Sequence, residues 1–106
     1  MKIVIIDYGA GNIQSIKFSL QRLGFDAELS HDYSEIQTAD KVIFPGVGEA
    51  STAMQKLKST GLDSFITNLK QPVLGICLGM QLMCSYSQEG NTSGLGIFDV
   101  EVQKFN

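Results

Sequence analysis

Gly75-Ile76-Cys77-Leu78-Gly79 follows the apolar pair Val73-Leu74 and runs into the helix-like Met80-Gln81-Leu82-Met83. A strand that turns sharply into a helix at a cysteine, with glycine two positions to either side, is a nucleophile elbow carrying a thiol. Such a turn is strained, and small flanking residues let neighbouring backbone come close without a Cβ clash. Cys77 is therefore expected at the exposed carboxyl end of a strand. The helix starting beside it would aim backbone N–H groups and a partial positive charge at the sulfur. The competing reading of any free cysteine is a small buried hydrophobe.

The rest of the chain supplies the sheet that such an elbow needs. Short apolar runs at Lys2 to Ile6, Lys41 to Phe44 and Val73 to Ile76 are rich in β-branched residues and bounded by Asp, Pro or Gly, as buried parallel strands are. A weaker strand is expected at Ala27 to Leu29. Three stripes at helical spacing lie between them: Ile13, Ile16, Leu20 and Leu23, closed by Gly24; Ala50, Ala53, Met54 and Leu57; and Leu62, Phe65, Ile66 and Leu69. The order strand, helix, strand, linker, strand, helices, strand, helix predicts an α/β fold: a doubly wound, mostly parallel sheet with flanking helices. The flavodoxin-like strand order 2-1-3-4 would gather ligands at the carboxyl ends of the strands. After Ser85 the sequence turns polar and glycine-rich, then returns to short alternating stretches at Ile97-Phe98 and Val100 to Val102.

At 106 residues, 43% hydrophobic and 18% charged, the chain has ordinary globular composition for one domain, which excludes disordered and membrane classes. Asp7 halts the first apolar run far short of a signal peptide or a span, which predicts a cytoplasmic protein. A formal net charge of −3 with scattered Lys and Arg offers no stripe for a phosphate backbone, so nucleic acid is not an expected partner. Cys77 and Cys84 stand seven residues apart across the expected helix, about 10 Å along its axis and beyond disulfide reach. With no Cys-x-x-Cys and a single histidine, neither a metal nor another cofactor is expected.

Two further loops fall on the same edge of the expected sheet. In Tyr8-Gly9-Ala10-Gly11-Asn12 the glycines invite a dinucleotide reading, with Asp26 or Glu28 near the place of a ribose-binding acid. Gln14 stands where that fingerprint needs a third small residue, and Asn12 serves equally as a helix cap. Pro45-Gly46-Val47-Gly48 is more telling. Proline fixes the exit from the third strand, and the glycines permit angles that point N–H groups into the cleft. An N–H from Val47-Gly48 would be a second oxyanion donor beside that of Leu78, the ordinary tight turn being the alternative.

Together, Asp7-Tyr8-Gly9-Ala10-Gly11-Asn12, Phe44-Pro45-Gly46-Val47-Gly48 and Gly75-Ile76-Cys77-Leu78-Gly79-Met80-Gln81-Leu82 resemble class I (triad) glutamine amidotransferases. Within that family the match is nearest to the glutaminase subunits of imidazole glycerol phosphate synthases, in histidine biosynthesis. The resemblance runs from Met1 to about Glu101. It implies that Cys77 attacks the side-chain amide of glutamine, forming a thioester that water cleaves, and that ammonia passes to a (β/α)₈ barrel synthase subunit in a heterodimer. It implies glutamine contacts from Gly46, Gln81 and Glu89, with Asn12 near the face that docks the synthase. Solvated side chains remain the alternative for Gln81 and Glu89.

A thiolate amidase needs a base oriented by a third polar group. The family carries it on a His-Pro-Glu segment that this sequence does not contain. His31 follows the second strand, three strand spacings from the elbow strand, about 14 Å, and is expected in a surface turn. Residues 1–106 are accordingly expected to be the N-terminal part of a single amidotransferase domain, incomplete at its C-terminus and inactive alone. An open strand edge and self-association are expected to follow. The alternative is a non-catalytic binding or interaction domain that keeps the elbow without turnover; another cysteine hydrolase on the same fold is a third reading.

Overall fold

The computed structural model describes residues 1–9, 13–88 and 91–103. The chain runs β1 (Ile3–Ile6), α1 (Ile13–Arg22), β2 (Ala27–Ser30), α2 (Tyr33–Thr38), β3 (Lys41–Phe44), α3 (Ala50–Thr60), α4 (Leu62–Thr67), β4 (Val73–Gly75), α5 (Leu78–Leu82), β5 (Cys84–Ser87), β6 (Thr92–Ser93) and β7 (Phe98–Val102). Four parallel strands form the main sheet in the order β2-β1-β3-β4, the expected doubly wound arrangement.

The period-two alternation of β1 and β3 sorts their side chains onto two faces. Val4, Ile6, Val42 and Phe44 join Ile36, Ala53, Leu57, Ile66, Leu78 and Leu82 in the larger core, so α2 to α5 cover that face. Ile3, Ile5, Ala27 and Ile43 face the other way, against Ile13, Ile16 and Leu20 of α1. Leu23 is 73% exposed and does not continue the α1 stripe; α1 ends at Arg22 and the chain turns away. The sheet ends at β4, whose Leu74 is 59% exposed beside a groove of about 260 Å³ that includes Ile3, Leu20, Ile43 and Pro72. An open strand edge was expected from an incomplete domain, and β4 is the edge strand here.

Three local readings are corrected. The linker between the second and third strands is a helix, α2. A parallel crossover must traverse the sheet face, and only Ile36 of its six residues is buried, so no apolar period announced it. The helix after the elbow stops at Leu82, and Cys84 opens β5 instead of closing a longer helix. Cys84-Ser85-Tyr86-Ser87 has weak helix propensity, and tertiary pairing decides its state: β6, β5 and β7 form a second sheet, with β5 antiparallel to β6 and parallel to β7. Phe98 and Val100 to Val102 belong to one strand, β7, which Ile97 precedes, and its register with β5 shifts between Cys84 and Tyr86.

Asp32 caps α2, accepting from Ser34 N (2.8 Å), Glu35 N (3.2 Å) and Ser34 Oγ (2.7 Å). The Ser34 hydroxyl and then the two backbone N–H bonds hold its carboxyl below its ordinary value. Because the folded-state value is the lower one, the cap's contribution is full above the ordinary value of 3.8 and is lost as pH falls through the folded value. Asp32→Ala is therefore expected to lower the urea midpoint at pH 7. The gap from the parent chain should narrow as pH drops below 3.8, and a gap independent of pH would count against the carboxylate as the capping group.

Candidate active site

Cys77 sits between β4 and α5 with φ 53° and ψ −119°, one of two non-glycine residues with positive φ among the described residues. An L-residue held there costs of order 1–3 kcal/mol and persists only where its surroundings over-determine it. Those surroundings are visible in four backbone bonds. Ile76 N donates to Phe44 O (3.0 Å) and Leu78 N to Gly46 O (3.1 Å), continuing the β3–β4 ladder past its last paired residues. Gly79 N donates to Ile76 O (2.9 Å) and Gln81 N to Cys77 O (3.2 Å), closing the first turn of α5. The thiol of Cys77 is exposed while that of Cys84 is buried, and both are free.

Close approach of backbones explains two of the glycines. A Cβ on Gly46 would lie 2.8 Å from Gly79 N, 2.8 Å from the Tyr8 hydroxyl and 3.0 Å from Leu78 Cβ. A Cβ on Gly79 would drive into the carbonyl of Phe44. The elbow and the Pro45 to Gly48 loop are thus packed backbone on backbone, as the assumed strand order requires. Gly48 differs: nothing crowds it, and its φ of +97° is the reason for glycine there.

The predicted site residues fall as follows. Cys77, Gly46 and Leu78 are brought together, with Val47 (55% exposed) and Gly48 on the same loop. The Leu78 N–H, expected to face an oxyanion, donates instead to Gly46 O. The helix behind the thiol has five residues, so its dipole and its free N–H groups are fewer than a full helix would bring. Gln81 lies in α5, half-buried. Asn12 and Glu89 lie outside the described residues. His31 is exposed after β2, at the far edge of the sheet from β4.

Sequence reasoning passed over two residues that hold the loops. Tyr8 is 7% exposed, and its hydroxyl donates to Pro45 O (2.7 Å). Its ring tilts against Phe44, with centroids 5.5 Å apart. Burial pushes the phenol above its ordinary range, so it stays a neutral donor. The one available signal was an aromatic hydroxyl at a strand end, a group that finds a partner when buried. Lys56 reaches from α3 to Gly9 O (2.6 Å) and ties down the start of the first loop. A cleft of about 310 Å³ lined by Met54, Lys58, Asp63, Thr67 and Leu95 among others contains no residue of the elbow or the Pro45 to Gly48 loop. Among the described residues, no group of three or more His, Cys, Asp or Glu could hold a metal, and no helix is long and apolar enough to cross a membrane.

The chain is 58% identical to the imidazole glycerol phosphate synthase subunit HisH of Bacteroides fragilis (strain YCH46) over 105 residues, 99% of this chain and 54% of that protein. It is 50% identical to the imidazole glycerol phosphate synthase subunit HisH 2 of Campylobacter jejuni (strain RM1221), again over 105 residues and with the same coverage. The chain thus spans about half the length of these relatives. A crystal structure of a glutamine amidotransferase superposes with a TM-score of 0.77 at 20% identity, over 94% of this chain and 55% of that one, a likeness of fold. Residues 4–104 match the glutamine amidotransferase class-I family. An exposed cysteine at a strained strand-to-helix turn, packed against a Pro-Gly loop and embedded in a match covering nearly the whole sequence, makes this chain a member of the class-I glutamine amidotransferase family.

Proposed function

We propose that this chain is the nucleophile-bearing part of a glutaminase that supplies ammonia for imidazole glycerol phosphate synthesis. The observation that carries the reading is Cys77: an exposed thiol at positive φ, its two neighbours held by hydrogen bonds from Ile76 N to Phe44 O and from Leu78 N to Gly46 O. In this reaction the thiolate attacks the side-chain carbonyl of glutamine. The C–N bond breaks as the nitrogen takes a proton and leaves as ammonia, and water then cleaves the thioester to glutamate. Gly46, Gln81 and Glu89 contact the substrate in this reading, and Asn12 belongs to the face that docks a (β/α)₈ barrel synthase subunit as a cytoplasmic heterodimer.

The developing oxyanion needs N–H groups aimed at it. The Leu78 N–H becomes available only when the Gly46 carbonyl turns away, and the same rotation swings the Val47 N–H toward the cleft. The resting arrangement is therefore a closed one, and glutamine or the partner must favour the turned peptide. His31, the sequence's one histidine, stands at the opposite edge of the sheet from β4 and is not placed to serve as the base of Cys77. By itself the chain is expected to show negligible turnover, several orders of magnitude below an enzyme with its base in place. The exposed β4 edge and Leu74 favour self-association of the isolated chain.

Labelling with a chloromethyl ketone analogue of glutamine, read by intact mass and peptide mapping, tests the reading. Selective alkylation of Cys77 that excess glutamine suppresses is the expected result. Selective labelling that glutamine leaves unchanged would favour a cysteine hydrolase of another substrate class. Absent labelling, with Cys84 protected, would leave a non-catalytic binding domain as the function.

A further inference from the structure

We infer that Tyr8 is a positioning residue for the oxyanion loop: its hydroxyl pins the Pro45–Gly46 peptide and thereby sets where the Val47 and Gly48 N–H groups stand relative to the Cys77 thiol. The inference rests on the amidohydrolase reading above. Four observations carry it. The hydroxyl crosses 37 residues of sequence to donate to Pro45 O at 2.7 Å, inside the core. The ring is held in turn by Phe44, the residue whose carbonyl accepts from Ile76 N. The next residue, Gly46, is so close to the hydroxyl that a Cβ there would stand 2.8 Å away. Finally, the carbonyl of Gly46 accepts from Leu78 N, the residue after the nucleophile.

Two consecutive peptide planes meet at the Gly46 Cα, and each accepts one hydrogen bond through its carbonyl. The plane before it, Pro45–Gly46, is bonded through its carbonyl to a buried phenol. The plane after it, Gly46–Val47, is bonded to Leu78 N and leads to the exposed Val47 and to Gly48, where the backbone has no crowding. The second plane, toward the exposed end of the loop, is the one placed to turn once its bond to Leu78 N is released, with the first as its support. Without the Tyr8 hydroxyl, both planes move together and the Val47 N–H no longer returns to one place. A displacement of about 1 Å at a reacting centre is enough to cost on the order of 100-fold.

The test compares two electrophiles at Cys77 in the whole chain. A chloromethyl ketone analogue of glutamine places its ketone oxygen where the oxyanion forms, whereas iodoacetamide needs no such support; the ratio of their rate constants cancels changes in thiolate population. Tyr8→Phe keeps the ring on Phe44 and removes only the donor, and the ratio is expected to fall about ten-fold or more, with iodoacetamide changed less than about two-fold. Rates are taken from molecules whose Cys84 remains unlabelled, which reports the intact fold. Installing 4-aminophenylalanine at position 8 restores an N–H donor near the same carbonyl and should return most of the ratio. An unchanged ratio in Tyr8→Phe, or a folded amine variant that fails to recover it, overturns the role of Tyr8, the second even where Tyr8→Phe does not fold. Loss of glutamine-protected labelling in the unsubstituted chain overturns the amidohydrolase reading itself, and this inference with it.

Discussion

Cys77→Ser is expected to abolish covalent labelling by the glutamine chloromethyl ketone, by at least about 10³-fold, while leaving the chain folded. Replacing sulfur with oxygen removes the only exposed thiol and substitutes a hydroxyl that stays protonated without a base. The side chain is exposed and almost isosteric, so the packing around Leu78 and Gly79 should not change. Cys84, buried in β5, serves as the internal control. It should stay protected in the parent and in the variant alike, and become reactive only in denaturant. Persistent labelling of Cys77→Ser at the parental rate would mean that the modified group is not Cys77. A companion substitution tests the strain instead of the chemistry. Cys77→Gly should be as unreactive as serine but more stable than the parent by about 1 kcal/mol: relief of about 1–3 kcal/mol at φ 53°, less the 0.5–1 kcal/mol that glycine loses in backbone freedom. A domain that gains stability when this cysteine is removed holds it in place at a cost that packing does not repay, as the proposed nucleophile role requires. A variant less stable than the parent would show that the elbow is not under strain.

The parts of this fold that were legible in the sequence are those governed by dense local signals. β1 is an unbroken β-branched run ended by Asp7, β3 is a short run rich in β-branched residues ended by Pro45, and α3 carries its apolar residues at helical spacing, so these elements followed from pattern alone. The elbow was legible for the same reason, because glycine two residues to either side of a cysteine answers a steric demand that few other turns make. What was not legible depended on contacts distant in sequence. α2 has one buried residue and owes its existence to the crossover geometry, to Asp32 at its start and to the Gln71 side chain, which donates to Ile36 O (2.8 Å) and Ala39 O (3.2 Å) beyond its end. β5 was hidden because its pairing with β7 joins segments 14 residues apart or more through an irregular register. Tyr8 was visible as a letter in a motif, but its partner, a carbonyl 37 residues away, follows only once β1 and β3 lie side by side. The Leu78 N–H was expected to be free, and its bond to Gly46 O was not legible, since the sequence does not show that the β3–β4 ladder continues past its strands.

Gly79→Ala separates two physical effects that predict opposite signs. Residue 79 lies within α5, where intrinsic helix propensity favours alanine over glycine by about 1 kcal/mol. Propensity alone would therefore make the variant more stable. The alanine Cβ, however, would run into the Phe44 carbonyl, with Phe44 C at 2.8 Å and Pro45 C at 3.1 Å. These are backbone atoms at the end of a central strand, not flexible side-chain tips, so the strain cannot be relieved by a rotamer change. Either β3 or α5 must move, and each carries core residues, Phe44 on one and Leu78 and Leu82 on the other. The expected net cost is about 3–5 kcal/mol, a large share of the roughly 5–15 kcal/mol that holds a domain of this kind together. In urea this is a fall of the midpoint on the order of 2 M. Gly48→Ala provides the contrast, since no atom lies within 4 Å of its Cβ position and only the left-handed φ of +97° is at issue. That variant should lose about 1–2 kcal/mol. Midpoints in the order parent, Gly48→Ala, Gly79→Ala would assign the two glycines to their separate causes, one conformational and one steric. A Gly79→Ala midpoint at or above the parent's would instead mean that β3 and α5 are not in backbone contact. The elbow would then lack the support that keeps Cys77 at positive φ.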